Sequence, residues 1–264
     1  MLKTLFVCDD STGANASAIL LNKINLKTLS AINQCDLPDY KDYDALAIST
    51  DSRAVEEGVA KARVLEVLKQ FKYEDIAVLN KRVDSTLRGN LGAELNAFKE
   101  VFPNRKIAIV PAFPKSGRIC KMGQVYVNGI SLENTDVAKD PKMPIDTSDA
   151  YTLFKKQFKG SLVNIYKDAY VDKFVLAEKI KKAYEEYDGI IFDAETNEDI
   201  ALISRALCVT DCSIITVDPG VFTFYYTREK IKAGVKEEKF LYLVGSVVDT
   251  TFHQLKYVRG KNTF

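Results

Sequence analysis

The chain has 264 residues, 47% of them hydrophobic and 28% charged, with a net charge of +1 at neutral pH. That length can bury a real core in one large domain or one and a half. The near-zero net charge provides no overall field for nucleic acid or an anionic membrane, and no apolar run approaches the roughly 18 residues that span a bilayer.

In chain order, the N-terminal apolar run is short, lacks a cleavage site and leads straight into Asp9-Asp10, so it reads as a strand rather than a secretory signal. Strands are predicted at Thr4–Cys8, Lys27–Ala31, Ala45–Ser49, Ile76–Asn80, Lys106–Val110, Leu162–Tyr166, Gly189–Phe192, Ser213–Val217 and Phe240–Val244. Most are continuously apolar, as strands covered on both faces should be. Helices are predicted at Ala14–Ile24, Ala54–Phe71, Leu91–Phe102, Ser148–Phe158, Lys173–Tyr187, Glu198–Cys208 and Thr250–Val258. In the second, Val55, Val59, Ala62, Leu65 and Leu68 form an apolar stripe. The alternation implies an α/β fold in three layers, a mainly parallel sheet with helices on both faces.

The segment 111–149 breaks this rhythm. An alternating run, Ile119–Val127, meets Asn128-Gly129, a hairpin signal, and Ser131–Pro144 follows as a long ordered loop. Thr227–Lys239 is charged and weakly patterned and reads as a helix end plus linker. Five scattered cysteines suggest reduced thiols in a cytoplasmic protein. The one histidine, His253, makes a histidine-rich zinc site or a Ser-His-Asp triad a poor fit.

Chemistry gathers after the strands. Asp9, Asp10, Ser11 and Thr12 follow the first, and Asp51, Ser52 and Arg53 the third. The fourth leads into Lys81, Arg82, Asp84, Ser85, Thr86, Arg88, Gly89 and Asn90, just before a helix start. Lys115 and Arg118 follow the fifth, and Asp193 and Asp218 later ones. In an open parallel sheet these points share the carboxyl edge, where ligands bind. Helix capping explains one Asp per corner. It does not explain adjacent Asp9 and Asp10, or Arg53, Lys81, Arg88 and Arg118 converging from separate loops. Arg and Lys at helix starts suit a carboxylate or phosphate. Carboxylates, amides and hydroxyls suit sugar hydroxyls. A carboxylate pair can also hold Mg²⁺ or take a proton from an attacking hydroxyl, as phosphoryl transfer requires. Neither a Walker-type nor a dinucleotide glycine motif is present.

Four motifs in series, Asp9-Asp-Ser-Thr-Gly-Ala-Asn15, Lys81-Arg-Val-Asp-Ser-Thr-Leu-Arg-Gly-Asn90, Pro111-Ala-Phe-Pro-Lys-Ser-Gly-Arg118 and Asp193-Ala-Glu-Thr-Asn-Glu-Asp199, resemble the four-carbon acid sugar kinase family. The resemblance implies ATP-dependent phosphorylation of threonate, erythronate or a 3-oxo-tetronate, with Mg²⁺. It implies a sugar-acid domain, here 1–235, and a nucleotide domain of which 236–264 is the opening segment. Ser246 matches the family's first nucleotide-contacting serine. Members run well past this length, the later glycine-rich motifs are absent, and Val217-Asp-Pro-Gly-Val221 replaces a glycine-rich turn. The expectation is the sugar-acid half of a cytoplasmic kinase, from a cloned fragment or a truncated gene, with a homo-oligomer allowed.

Within that half, Asp10 and Asp9 are the expected catalytic groups. The expected substrate contacts are Arg53, Lys81, Asp84, Ser85, Thr86, Arg88, Gly89, Asn90 and Arg118. Arg88 is expected to grip the ligand carboxylate with help from Lys81 or Arg118, while Asp10 faces the hydroxyl to be phosphorylated. No metal ligand set is assigned. A stand-alone sugar-acid-binding module is the alternative. An aspartyl-phosphate phosphatase would need Asp two places after its nucleophile, where Ser11 and Thr12 stand.

Overall fold

The computed structural model describes residues 2–32 and 39–231. Its elements run β1 (Leu2–Cys8), α1 (Ser11–Asn22), β2 (Thr28–Ala31), β3 (Ala45–Ser49), α2 (Glu57–Leu68), β4 (Ile76–Arg82), α3 (Leu91–Val101) and β5 (Lys106–Ile109). Three short strands follow, β6 (Arg118–Lys121), β7 (Gln124–Val127) and β8 (Ile130–Ser131). The chain continues through α4 (Ala150–Lys155), β9 (Leu162–Ile165), α5 (Lys173–Glu186), β10 (Gly189–Phe192), α6 (Asn197–Thr210), β11 (Ile214–Asp218) and α7 (Val221–Ile231).

Eight strands form one sheet in the order β2-β3-β1-β4-β11-β5-β10-β9, and every pairing is parallel. Successive residues along a strand supply the two cores. Leu5, Val7, Leu46, Ile48, Leu79, Ile107 and Ile109 pack with α2, α3 and α4. Val78, Ala108, Val110, Ile190 and Phe192 pack with α5, α6 and α7, and Phe6, Cys8, Ala45 and Ala47 with α1. Both alternating sets are apolar because both faces are covered, which is why the strands show no polar face.

The chain leaves β1 toward β3 on one side and later returns as β4 on the other. The corners after β1, β3 and β4 therefore meet where the strand order reverses, the crevice that open parallel sheets use for ligands. The expected three-layer α/β architecture is the one observed.

Several boundaries differ. The predicted helix Ala54–Phe71 begins only at Glu57, because the residues before it form the corner that carries Arg53. Ser148–Phe158 shortens to six residues, with the Asp149 side chain accepting the Thr152 N–H at its start. The run Ile119–Val127 is two strands, not one, since Met122 and Gly123 take φ of 50° and 75° and turn the chain. Asn128-Gly129 makes the second turn, at 51° and 82°, as its sequence implies. Helix α7 extends well before the helix end expected from Thr227 onward; its start, Val221-Phe-Thr-Phe-Tyr-Tyr, is aromatic and β-branched and carries no helical stripe. The predicted strand Phe240–Val244, the helix Thr250–Val258, His253 and Ser246 lie outside the described residues. Cys8, Cys120, Cys208 and Cys212 are free thiols.

α3 meets the end of α4 through Gly92, where an added Cβ would stand 2.2 Å from the Phe158 nitrogen and 2.5 Å from the Phe154 oxygen. Backbone cannot yield as a flexible side chain can. Gly92→Ala should cost on the order of 1–3 kcal/mol. Gly58→Ala, on α2 with no atom within 4 Å, should gain up to about 1 kcal/mol. Urea unfolding of both variants checks the contrast; a neutral Gly92→Ala would refute the backbone contact.

Candidate functional site

β1 ends at Cys8, and the two acids that follow take different roles. Asp9 is 2% exposed. Its Oδ2 accepts from Arg53 Nε at 2.7 Å and its Oδ1 from Arg53 Nη2 at 3.1 Å, a two-pronged pair. Asp10 caps α1, its Oδ1 accepting the Gly13 N–H at 2.7 Å. Its Oδ2 lies 3.0 Å from Arg53 Nη1, and its side chain is 24% exposed. Arg53, from the corner after β3, also reaches Asp84 Oδ1 at 3.8 Å in the corner after β4. One guanidinium thus joins the ends of three adjacent strands.

Arg82 is the last residue of β4, and its Nη1 lies 3.5 Å from Asp10 and 3.9 Å from Asp9. It was not among the expected contacts. Neighbours on a strand point to opposite faces, so either Lys81 or Arg82 had to turn toward the α1 side where Asp10 sits. That alternation was the available signal.

Lys81 takes the other direction. It is 1% exposed and its Nζ lies 2.7 Å from Glu94 Oε2 on α3 and donates to the Arg82 carbonyl at 2.6 Å. Glu94 Oε1 accepts from Ser52 Oγ at 3.0 Å. Burial pushes the Glu94 carboxyl up, with the Lys81 charge working against it. Lys81 therefore braces the β4 corner against α3 from beneath. Its ammonium is turned inward, away from the cleft in which it was expected to help Arg88.

In the loop after β4, Asp84 Oδ2 accepts from Arg88 Nε at 2.7 Å and from the Thr86 hydroxyl. Burial would raise this carboxyl, but the Arg88 and Thr86 hydrogen bonds and the Arg53 and Arg88 charges outweigh it and hold it at about 2, against the usual 3.8. Arg88 Nη1 also donates to Asp140 Oδ2 at 2.9 Å, a partner from the 111–149 insertion that the sequence did not signal. Asp140 is itself held by the backbone N–H groups of Lys142 and Met143 at 2.9 and 3.0 Å. Gly89 takes φ of 106°, a backbone conformation that side-chain-bearing residues rarely adopt, so glycine provides the turn that brings the loop to Asp9 and Arg53. Ser85 is half-buried, with no hydrogen-bond partner among the described residues.

Two expected contacts are committed elsewhere. The Asn90 amide donates to the Ser52 and Val55 carbonyls at 3.0 and 2.9 Å and its oxygen accepts from Gln157 at 3.1 Å, so it stitches loops together. Arg118 donates to the Ser116 carbonyl in its own corner, and no ion pair links it to the cluster among the described residues. The later corner acids also serve the backbone. Asp193 accepts from the Met122 and Gly123 N–H groups at 2.8 and 2.9 Å and pins the first hairpin turn. Asp218 accepts from the Gly220 and Phe222 N–H groups at 2.7 Å each.

The cluster therefore holds Asp9, Asp10, Asp84 and Asp140 against Arg53, Arg82 and Arg88. No group of three or more metal-ligating side chains suited to a cation occurs among the described residues. The cluster's guanidinium groups can donate to an anionic group and its carboxylates can accept from hydroxyls. No helix of the described residues is long and apolar enough to cross a membrane.

Asp84 makes stability pH-dependent. Its folded-state pKa is depressed, so its contribution is present above about pH 4 and is lost as pH falls through about 2, worth about 2 kcal/mol in all. Wild type should lose this much more stability than Asp84→Asn over that window in denaturant titrations. Parallel loss in both proteins would show that Asp84 gains nothing from its arginines.

A family model described as the sugar-binding N-terminal domain matches residues 4–225. The chain is 36% identical over 268 aligned positions to a D-erythronate kinase of Heliobacterium modesticaldum, covering 98% of this chain and 61% of that one. It is 30% identical to a D-threonate kinase of Salmonella typhimurium, covering 78% and 49%. A solved Bordetella bronchiseptica domain of unknown function, a domain-swapped dimer with bound citrate, superposes with TM-score 0.75 at 26% identity, covering 85% and 56%. The chain thus spans about half to three-fifths of the length of these relatives. It belongs to the four-carbon acid sugar kinase family, and residues 4–225 match that family's sugar-binding N-terminal domain.

Proposed function

We propose that the chain is the substrate-binding half of an ATP-dependent kinase for a four-carbon sugar acid: threonate, erythronate or a 3-oxo-tetronate. The observation that carries this reading is Arg53, which gathers Asp9, Asp10 and Asp84 from three strand ends beside Arg82 and Arg88. Relatives named as kinases of D-erythronate and D-threonate support the substrate class. So does the citrate, a hydroxy acid, in the Bordetella neighbour. ATP, with Mg²⁺ carried on its phosphates, comes from a nucleotide domain that begins near residue 236 and uses Ser246. Phosphate-bound Mg²⁺ keeps several waters and needs few protein ligands. The division at 235 and 236, a cytoplasmic location and a homo-oligomer belong to the same reading; the neighbour's dimer supports the last.

The two acids divide the work by exposure. Asp9 is sealed in its pair with Arg53, whereas Asp10 opens to the cleft and takes the proton of the hydroxyl that is phosphorylated. Arg88 receives the ligand carboxylate. It already carries Asp84 and Asp140, so the ligand exchanges with Asp140, the partner that the insertion supplies. Arg53 and Asp84 contact the ligand hydroxyls, with Ser85 and Thr86 beside them and Gly89 making room. Asn90 and Lys81 hold the corners in place, and Arg118 approaches only if its loop turns.

Arg88→Ala should weaken tetronate binding to this chain by at least about tenfold, the worth of one charge-assisted hydrogen bond. Asp10→Asn should leave affinity largely intact but cut turnover about a hundredfold or more in the full-length kinase. Calorimetry and a coupled ATPase assay read the two effects. Unchanged affinity in Arg88→Ala, or unchanged turnover in Asp10→Asn, would remove that residue from the site.

A further inference from the structure

A cavity of about 350 Å³ lies on the other face of the sheet from α3, between the end of α1, the corner 113–116, the start of α6 and α7. It exceeds those beside Arg105 and beside Met143, of about 210 and 160 Å³. It shares no lining residue with the Arg53 cluster. Leu20, in its wall, follows the α1 cap Asp10 by ten positions, about 15 Å along a helix.

Its chemistry is one-sided. Lys23, Lys115 and Arg228 reach it from three separate segments, and none of its lining residues is acidic, although Arg228 Nη2 also lies 3.7 Å from Glu229 Oε1 just outside the lining. Its remaining walls are mainly apolar or aromatic, with Phe113, Phe224 and Tyr225 prominent. Phe224 and Tyr225 meet edge to face at 5.2 Å between centroids. The Arg228 guanidinium lies 4.9 Å from the Tyr225 ring centre and 5.9 Å from that of Phe224, so the rings hold it in place at the cavity wall. Cations on such walls favour an anion, and flat apolar walls favour a ring. Ser116 and Asn197 are the only uncharged polar side chains in the lining apart from the Tyr225 hydroxyl, too few to match a bare polyol. The volume is at the low end for small-molecule sites, which span roughly 300–1,000 Å³.

We propose that this cavity is a second ligand site, separate from the sugar-acid cleft, for a ring-bearing anion of the nucleoside monophosphate class. The ring lies against Phe113, Phe224 and Tyr225, and the phosphate sits between Lys115 and Arg228. Nothing in this assignment depends on the kinase reading or on Ser246.

The test is calorimetry on the 264-residue chain with 5′-AMP, adenosine and inorganic phosphate as probes. AMP should bind, and adenosine and phosphate should each bind at least about tenfold more weakly, since each lacks one half of the recognition. Lys115→Glu and Arg228→Glu should each weaken AMP by at least about tenfold while tetronate affinity stays at the wild-type value. Lys115 is exposed, so its variant should fold even if the Arg228 change does not. Ser246→Ala should leave AMP affinity unchanged. No AMP binding at millimolar concentration, AMP binding indifferent to Lys115→Glu, or loss of AMP binding in Ser246→Ala would each overturn the proposal.

Discussion

The site depends on one guanidinium. Asp9, Asp10 and Asp84 come from corners that the sheet order forces together, and three like charges at such spacing repel one another unless a cation stands between them. Arg53 sits among them, at 2.7 Å from Asp9, 3.0 Å from Asp10 and 3.8 Å from Asp84. Its planar fork serves Asp9 with two parallel hydrogen bonds and leaves Nη1 for Asp10. A lysine at this position would supply the charge but not the fixed directions. The corner after β3 stays out of α2 for three residues longer than its apolar stripe suggests, and that delay sets Arg53 over β1.

A second layer keeps this arrangement rigid. Lys81 and Glu94 form an ion pair sealed between β4 and α3, with Ser52 satisfying the other Glu94 oxygen. A buried pair is weak evidence of net stability, since both ions lose their water. Its consequence here is geometric. It ties the strand that carries Arg82 to the helix that follows Arg88, and through Ser52 to the loop that carries Arg53. Asn90 repeats the stitch through the Ser52 and Val55 carbonyls. The cluster is thus braced by buried polar contacts beneath it.

The insertion 111–149 joins the site from outside the sheet. Asp193 pins its first turn by two backbone N–H groups, and Asp140 at its far end closes on Arg88. The cleft is consequently neutralised by its own side chains. Four carboxylates stand against three arginines, and each arginine already has a carboxylate partner. A basic lining occurs instead in the cavity beside α7, where Lys23, Lys115 and Arg228 meet.

Much of this could be read from the residues alone. Uninterrupted apolar strands such as Ala45–Ser49 and Gly189–Phe192 imply a sheet covered on both faces, and both strands occur at the predicted bounds. Asn128-Gly129 announces its turn because only residues tolerant of positive φ take that geometry. The gathering of acids and arginines at strand ends follows from parallel topology. What each one touches does not. Lys81 and Arg82 are adjacent and chemically alike, yet one is buried on Glu94 and the other faces Asp10. Asp9 and Asp10 are adjacent and identical in type, yet one is sealed against Arg53 and the other caps α1. Asp140 meets Arg88 across 52 residues of sequence. Helix α7 forms from an aromatic, β-branched segment because Phe222 and Tyr226 are buried in the core shared with α6 and β11, and Met122-Gly123 turns because Asp193 holds its backbone. Sequence pattern determines which face of an element is apolar, since that depends on local periodicity. The direction and partner of a polar side chain depend on register and on distant segments, and only the folded chain decides them.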